Sequence, residues 1–248
     1  MDVYVINLDS QPQRLAAMRA RLPALHRIAA INGWALPPDQ LTKGHHYPEG
    51  YDLSPPEVGC AMSHRKAWDE FLRSGRSHGC FLEDDVVLSA DFTSVVSNAS
   101  WVPGDADIVK IETTQLGVFL DRVPAAHVGA HALHRLRFRH MGAAGYILSR
   151  AGAEKLLALS LPFRYPVDVL MFDHRIPEFA KLTTYQMTPA LCCQPQNTGM
   201  VQTDSGINAH RGRKPKRTPM RGLTRRLQDL KWFTLQRPFL RAATVPFG

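Results

Sequence analysis

Short apolar runs alternate with amphipathic stretches from the start of the chain. Residues 3–8 (VYVINL) are apolar and closed by Asp9-Ser10, the pattern of a buried strand. Residues 11–22 place Leu15, Met18 and Leu22 at helical spacing, so a helix follows. Residues 27–31 read as a second strand, ended by the turn pair Asn32-Gly33. From Trp34 to Pro56, Pro, Gly, His and Tyr accumulate without a steady period. This predicts an irregular loop, long enough for a compact domain to suggest function. Pro55-Pro56-Glu57 opens a helix, with Pro and an acid in its first turn, that runs to about Arg73 and stops at Ser74-Gly75. Cys80-Phe81-Leu82 is a short strand running into Glu83-Asp84-Asp85. Residues 107–111, 145–148 and 182–186 give three further strands, and Ser149 is the expected cap of a helix beginning at Arg150.

Strands alternating with helices predict an α/β fold on a sheet with a largely buried parallel core. A chain of 248 residues suffices for one good core, and its 44% hydrophobic and 21% charged residues suit a soluble globular protein. No apolar run reaches the roughly 18 residues of a membrane span. The opening MDVYVINLDSQPQR lacks the basic and long apolar regions of a signal peptide, so a cytoplasmic location is expected. Cys60 and Cys80 are isolated and Cys192-Cys193 adjacent, which matches no zinc spacing and predicts reduced, partly buried thiols. The sequon Asn98-Ala99-Ser100 is then a chance match.

The net charge of +8 is unevenly placed. From Asn208 onward there are eleven Lys or Arg and one acid, Asp229, whereas residues 1–207 carry 19 bases and 21 acids. The chain therefore divides into a near-neutral domain, residues 1–207, and a basic arm, residues 208–248. In the arm Leu223, Leu227, Leu230 and Phe233 share one helical face, with Arg221, Arg225 and Lys231 off it, which predicts a basic amphipathic helix.

The strongest chemical signal is Glu83-Asp84-Asp85. Three acids at the end of an apolar strand repel one another, and burial of their neighbours raises that cost. A divalent cation would relieve it, and hard carboxylate oxygens suit Mg²⁺ or Mn²⁺. Ligands of α/β sheets sit beyond the carboxyl ends of strands, where this triplet falls. The competing interpretation is a solvated acidic turn.

Several blocks surround the triplet in order. They are Val5-Ile6-Asn7-Leu8-Asp9 with Arg14, then Gly59-Cys60-Ala61-Met62-Ser63-His64 with Trp68, then Leu82-Glu83-Asp84-Asp85-Val86. Gly145-Tyr146-Ile147-Leu148-Ser149-Arg150, Pro166-Val167-Asp168 and the stretch from Pro189 to Gln194 complete the series. In order and spacing this set resembles glycosyltransferase family 25, the lipooligosaccharide galactosyltransferase family, over about residues 2–207.

The resemblance implies a GT-A-like, Rossmann-type nucleotide-sugar-binding domain. It implies inverting transfer, most often of galactose, from a UDP-sugar to a saccharide acceptor. On that basis Glu83 and Asp85, with the spacing of a DxD element, are the expected ligands of Mn²⁺ or Mg²⁺. Asp84 would contact the donor ribose or sugar hydroxyls. Asn7, Asp9, Arg14, Ser63 and His64 are donor-binding candidates, Arg14 as a phosphate partner. Asp168 is the candidate general base, with Glu112 and Asp173 as rivals. Gln194 and His210 compete as third metal ligand. Ordinary roles stand beside these, since a helix-initial acid, a surface arginine or a packed helical histidine needs no ligand.

A lipid-linked oligosaccharide acceptor would place the enzyme at the inner face of the cytoplasmic membrane, with the arm on anionic lipid. Two other classes compete: an inactive nucleotide-binding module of the same fold, and a nucleic-acid binder suggested by the pI of about 9.6. Against the latter, the excess charge is confined to the arm and no nucleic-acid motif is present, so no nucleic-acid partner is expected.

Overall fold

A computed structural model of the chain describes residues 1–41, 53–197 and 239–248. The first half contains β1 (Asp2–Asn7), α1 (Pro12–Arg21), β2 (His26–Ala29), α2 (Pro55–Arg73), β3 (His78–Glu83), β4 (Val87–Leu88) and α3 (Phe92–Val96). There follow β5 (Ile108–Lys110), β6 (Glu112–Thr113), β7 (Gly117–Asp121), β8 (Ala126–Val128), β9 (His131–Arg135) and β10 (Gly145–Ser149). The chain continues with α4 (Arg150–Leu159), α5 (Val167–Phe172), β11 (Thr184–Thr188), β12 (Cys192–Cys193) and β13 (Leu240–Thr244).

Among the described residues eight strands form one sheet in the order β2-β1-β3-β10-β5-β11-β9-β8. Strand β1 lies parallel to both β2 and β3, and β11 is parallel to β5. The expected parallel core is therefore only partly present, because β10 runs antiparallel to both β3 and β5. A strand buried on both faces is apolar throughout, and that pattern does not encode its direction.

Alternation along each strand divides the core. Tyr4 and Ile6 point with Phe81, Tyr146 and Leu148 to one side, where Trp68 and Phe71 of α2, Leu156 of α4 and Phe172 of α5 cover them. Val5, Cys80, Leu82, Val109 and Ile147 face the other side, against Met18 of α1 and Phe92, Val95 and Val96 of α3. Tyr4, Phe81 and Tyr146 are paired in register across three strands, and successive rings stack with centroids 5.2 Å apart. Such cross-strand aromatic pairs fix register as well as area.

Helix starts follow the local chemistry. In α2, Glu57 accepts from the Ser54 backbone N–H and hydroxyl, both at 2.8 Å, with Pro55 at the first helical position. In α4, the Ser149 hydroxyl accepts from the Gly152 N–H at 3.1 Å, as its sequence position predicts. Part of the expected irregular loop, residues 42–52, lies outside the described residues. Its beginning holds one 3₁₀ turn, Gly33–Ala35, whose Trp34 N–H is capped by Asn32.

The end of the chain corrects the expected boundary. Residues 208–238, with the predicted amphipathic helix and His210, lie outside the described residues. Residues 240–244 are not arm but strand β13, paired antiparallel to β7. Beyond it Val245 is fully buried, and its carbonyl accepts from the Thr113 hydroxyl at 2.6 Å. Ala190 and Gly248 complete the attachment through backbone bonds to Pro246 and Ala190. Cys80, Cys192 and Cys193 are buried and Cys60 half-buried, all free thiols. No helix among the described residues is long and apolar enough to cross a membrane.

Helix α4 sits so close to β5 that a Cβ on Gly152 would lie 2.1 Å from the Asp107 carbonyl oxygen. Gly152→Ala should therefore cost about 1–3 kcal/mol, as overpacking does. Gly104→Ala, with nothing within 4 Å, should change far less. Urea denaturation of the two variants checks the difference.

Candidate active site

The acidic triplet splits as it leaves β3. Asp84 turns toward β1 and α1, where it accepts from Asn7 Nδ2 at 2.6 Å and from Arg14 at 3.3 Å. Asn7 is itself held, donating to the Gln11 carbonyl at 2.9 Å and accepting from Arg27 Nε at 3.0 Å. Glu83 and Asp85 converge on one amide. Gln194 Nε2 lies 3.3 Å from Glu83 Oε2 and 3.2 and 3.3 Å from the two Asp85 oxygens. The Gln194 oxygen accepts from Gln196 at 2.9 Å, which fixes the amide's orientation.

Few positive charges offset these acids. Burial pushes the Glu83 carboxyl up to about 8, reinforced by the charges of Glu112, Asp84 and Asp168 and opposed by Lys110. Burial and Glu83 push Asp85 up to about 6, with the Gln194 bond and Arg14 acting against them. The Glu83 and Asp85 side chains remain 27% and 22% exposed, so the pair is open on one face. Two hard carboxylates with a donor lodged between them form a set that fits a Mg²⁺ or Mn²⁺ ion. The Arg14 guanidinium, 43% exposed, stands 3.7 Å from Asp85 and offers a positive charge beside it.

The two leading base candidates lie close together but differ in access. Asp168, half-buried at the start of α5, accepts from the Gly142 N–H at 3.3 Å and the Val169 N–H at 2.9 Å. Glu112 is fully buried, with Oε2 accepting from Lys110 Nζ at 2.9 Å and the Ala144 N–H at 3.0 Å. Complete burial separates Glu112 from any acceptor hydroxyl, and its charge serves the equally buried Lys110. Lys110 also donates to the Gly142 carbonyl and lies 4.3 Å from the Phe172 ring centroid. Gly142 has φ +92°, and a Cβ there would lie 2.7 Å from Glu112 Oε1, so glycine alone fits. Asp173, the third rival, is buried and paired with Arg175. Burial alone would raise its carboxyl, but the Arg175 bonds outweigh it and hold the carboxyl below its usual range.

The remaining predicted contacts divide. Ser63 is buried, donating to the Gly59 carbonyl at 2.6 Å and accepting from the Ile31 N–H at 2.8 Å. It fastens α2 to the end of β2, and its hydroxyl has no free face for a donor. Asp9 is 82% exposed, pairs with Arg27 and stays outside the acidic group. His64 does reach it: the ring is 1% exposed, with Nε2 3.5 Å from Glu83 and Nδ1 2.7 Å from the Tyr146 hydroxyl. Burial pushes this imidazole down to about 4, against the pull of Asp168 and Glu112, so it is neutral at pH 7. Lys110, Gly142 and Tyr146 have no part in the sequence-based site. The available signal for Lys110 was a lysine two residues before Glu112 on one face of an apolar strand.

A carboxyl whose folded pKa is raised keeps its proton in the folded chain after the unfolded chain has released it. Stability is then present below the ordinary value and lost as pH climbs through the folded one. Without divalent cation, Glu83 should therefore cost stability progressively between pH 4.5 and about 8. Glu83→Gln should gain in melting temperature relative to wild type across that window. A difference that does not change with pH would count against the assignment.

A family model described as glycosyltransferase family 25 (LPS biosynthesis protein) matches residues 1–171. The lacto-N-neotetraose biosynthesis glycosyltransferase LgtB of Neisseria gonorrhoeae is 33% identical over 152 residues, 57% of this chain and 54% of that protein. The lipooligosaccharide biosynthesis protein lex-1 of Haemophilus influenzae is 25% identical over 199 residues, 75% of this chain and 66% of that protein. The mouse inactive glycosyltransferase 25 family member 3 is 29% identical over 201 residues, 69% of this chain and 32% of that protein. The chain thus spans about half the length of LgtB, the first of these relatives. With the family model covering well over half of its residues, this chain belongs to glycosyltransferase family 25, the LPS biosynthesis protein family.

Proposed function

We propose that the chain is a metal-dependent, inverting glycosyltransferase of lipooligosaccharide or lipopolysaccharide biosynthesis. It moves a sugar, by expectation galactose, from a UDP-sugar to a lipid-linked saccharide acceptor on a GT-A-like domain. The observation that carries this reading is the convergence of Glu83 and Asp85 on one point beyond β3, inside a chain of this family. Glu83 and Asp85 would hold Mn²⁺ or Mg²⁺, and a cation bound there supplies charge neutralisation to the diphosphate as it departs.

The chain's own groups do the rest. Arg14 presents its guanidinium beside Asp85, where a diphosphate would meet it. Asn7 and Arg14 hold Asp84 against β1, while Glu83 and Asp85 converge on Gln194. Asp168 takes the proton of the acceptor hydroxyl as that oxygen bonds to the anomeric carbon. The bond from that carbon to the diphosphate oxygen breaks, its electron pair leaving with the UDP. A single displacement of this kind inverts the anomeric configuration. The hydrogen bonds from Gly142 and Val169 keep the Asp168 carboxylate oriented for proton transfer.

The reading extends to the arm. Its Lys and Arg residues suit an anionic membrane surface at roughly 1 kcal/mol each. A test must spare residues 239–248, which belong to the domain. Deleting residues 211–236 internally should abolish co-sedimentation with anionic vesicles, and equal binding by both proteins would exclude this role.

The defining experiment measures sugar release from UDP-galactose, UDP-glucose, UDP-N-acetylglucosamine and GDP-mannose, with and without Mn²⁺. Mn²⁺-dependent turnover of a UDP-sugar is expected, and no turnover of any donor would place this chain with the family's inactive members. Asp168→Asn should lower turnover by about 10²-fold or more while donor affinity holds, because shape is kept and proton acceptance lost. Near-normal turnover in that variant would remove Asp168 from the role.

A further inference from the structure

One face of Glu83 remains unaccounted for by the pair it makes with Asp85. Across it, on α2, stand Cys60 and His64, four residues apart and so on one side of the helix. The Cys60 sulfur, a ring nitrogen of His64 and a Glu83 carboxylate oxygen all lie within 4.8 Å of one another. His64 Nε2 is buried, with no hydrogen-bond partner among the described residues, and lies 3.5 Å from Glu83 Oε1. A ring nitrogen 99% buried and left without a partner beside a thiol and a carboxylate is costly unless something binds it.

We propose that Cys60, His64 and Glu83 form a site for a borderline-soft divalent cation, Zn²⁺ by preference. It is distinct from the oxygen-only pair Glu83 and Asp85 and shares one carboxylate with it. Thiolate, imidazole and carboxylate are the three ligand types of zinc, whereas Mg²⁺ and Mn²⁺ favour oxygen alone. Ligands at about 2.0–2.3 Å from a tetrahedral zinc lie roughly 3.3–3.7 Å apart, the separation of His64 Nε2 and Glu83 Oε1. Because all three ligand atoms lie within 4.8 Å of one another, reaching that spacing takes an inward shift of no more than about 1 Å.

The outer shell is in place. A ligating histidine normally donates its other ring N–H to an acceptor that fixes the tautomer. Here the Tyr146 hydroxyl oxygen lies 2.7 Å from His64 Nδ1 and also accepts from Trp68 Nε1 at 2.8 Å. A phenolic oxygen can accept both bonds. Cys60 and Glu83 are partly exposed, and three protein ligands fill three of the four positions of a tetrahedral zinc. On the proposed donor-site reading, zinc held this way draws Glu83 away from Asp85 and antagonises Mn²⁺. The zinc site itself does not depend on that reading.

Co²⁺ titrated into the full reduced chain tests the site, because a cobalt–thiolate bond has its own charge-transfer absorption. One equivalent should produce that absorption in the wild type and in Asp85→Ala, Zn²⁺ should abolish it, and Cys60→Ser should lack it. No such absorption in the wild type overturns the proposal. So does its persistence in Cys60→Ser, which keeps Cys80, Cys192 and Cys193. His64→Gln, which retains the thiol, should weaken cobalt binding, and unchanged binding in it overturns the three-ligand set. Zn²⁺ should inhibit Mn²⁺-dependent transfer in the wild type more than in Cys60→Ser. A cobalt signal in a chain without transfer under any condition would sink the proposed function and leave the zinc site standing.

Discussion

Like-charge repulsion at the carboxyl end of β3 is the constraint around which this molecule is organised. Glu83, Asp85, Glu112 and Asp168 act on one another's charge through partly or fully buried surroundings. Coulomb terms there are several-fold stronger than in water, so such a group holds together only if each acid is separately answered. The answers differ by residue. Asp84 is answered by Asn7 and Arg14, Glu112 by Lys110, and Asp168 by two backbone N–H groups. Glu83 and Asp85 share the neutral amide of Gln194 and feel Lys110 and Arg14 only from a distance, and both carboxyls are displaced upward. They are the acids that stand to gain most from a cation.

The support for this arrangement reaches across the sheet. Gly142 joins the two inner acids, its N–H going to Asp168 and its carbonyl accepting from the lysine that pairs with Glu112. Because that glycine has a positive φ and no room for a Cβ, local backbone shape and site electrostatics are one requirement. Tyr146 plays a similar double part. Its ring stacks on Phe81 in the core ladder, and its hydroxyl joins Trp68 to His64 beside Glu83. Disturbing core packing on that side of the sheet would therefore move site groups as well.

Much of the fold was legible because long periodic segments announce themselves. The first strand and helix, the capped start of α2, the strand before the acidic triplet and the Ser149 cap all fall where apolar spacing and end chemistry put them. Direction was not legible: residues 145–149 are apolar whether they run with or against their neighbours. Strands of two or three residues, such as β4 and β12, are too short to show a period. The return of residues 240–244 to β7 was hidden by the basic composition just before them. In the site, the triplet was readable from residue type, whereas nothing in the sequence separated Gln194 from His210; the structure sets Gln194 against Glu83 and Asp85. Ser63 was singled out by the family resemblance and Glu112 by its place at a strand end; both are buried, Ser63 bonded to Gly59 and Glu112 to Lys110. Lys110 was missed because a buried ion pair inside an apolar strand leaves only one charged residue on each side of Ile111 to notice.

The open face of Glu83 and Asp85 is proposed as a cation-assisted diphosphate site. Calorimetric titration of UDP into the wild-type chain, once with Mn²⁺ and once with chelator, addresses it most directly. Saturable UDP binding with Mn²⁺ that is lost on chelation is the expected result. Equal UDP affinity under both conditions would contradict it.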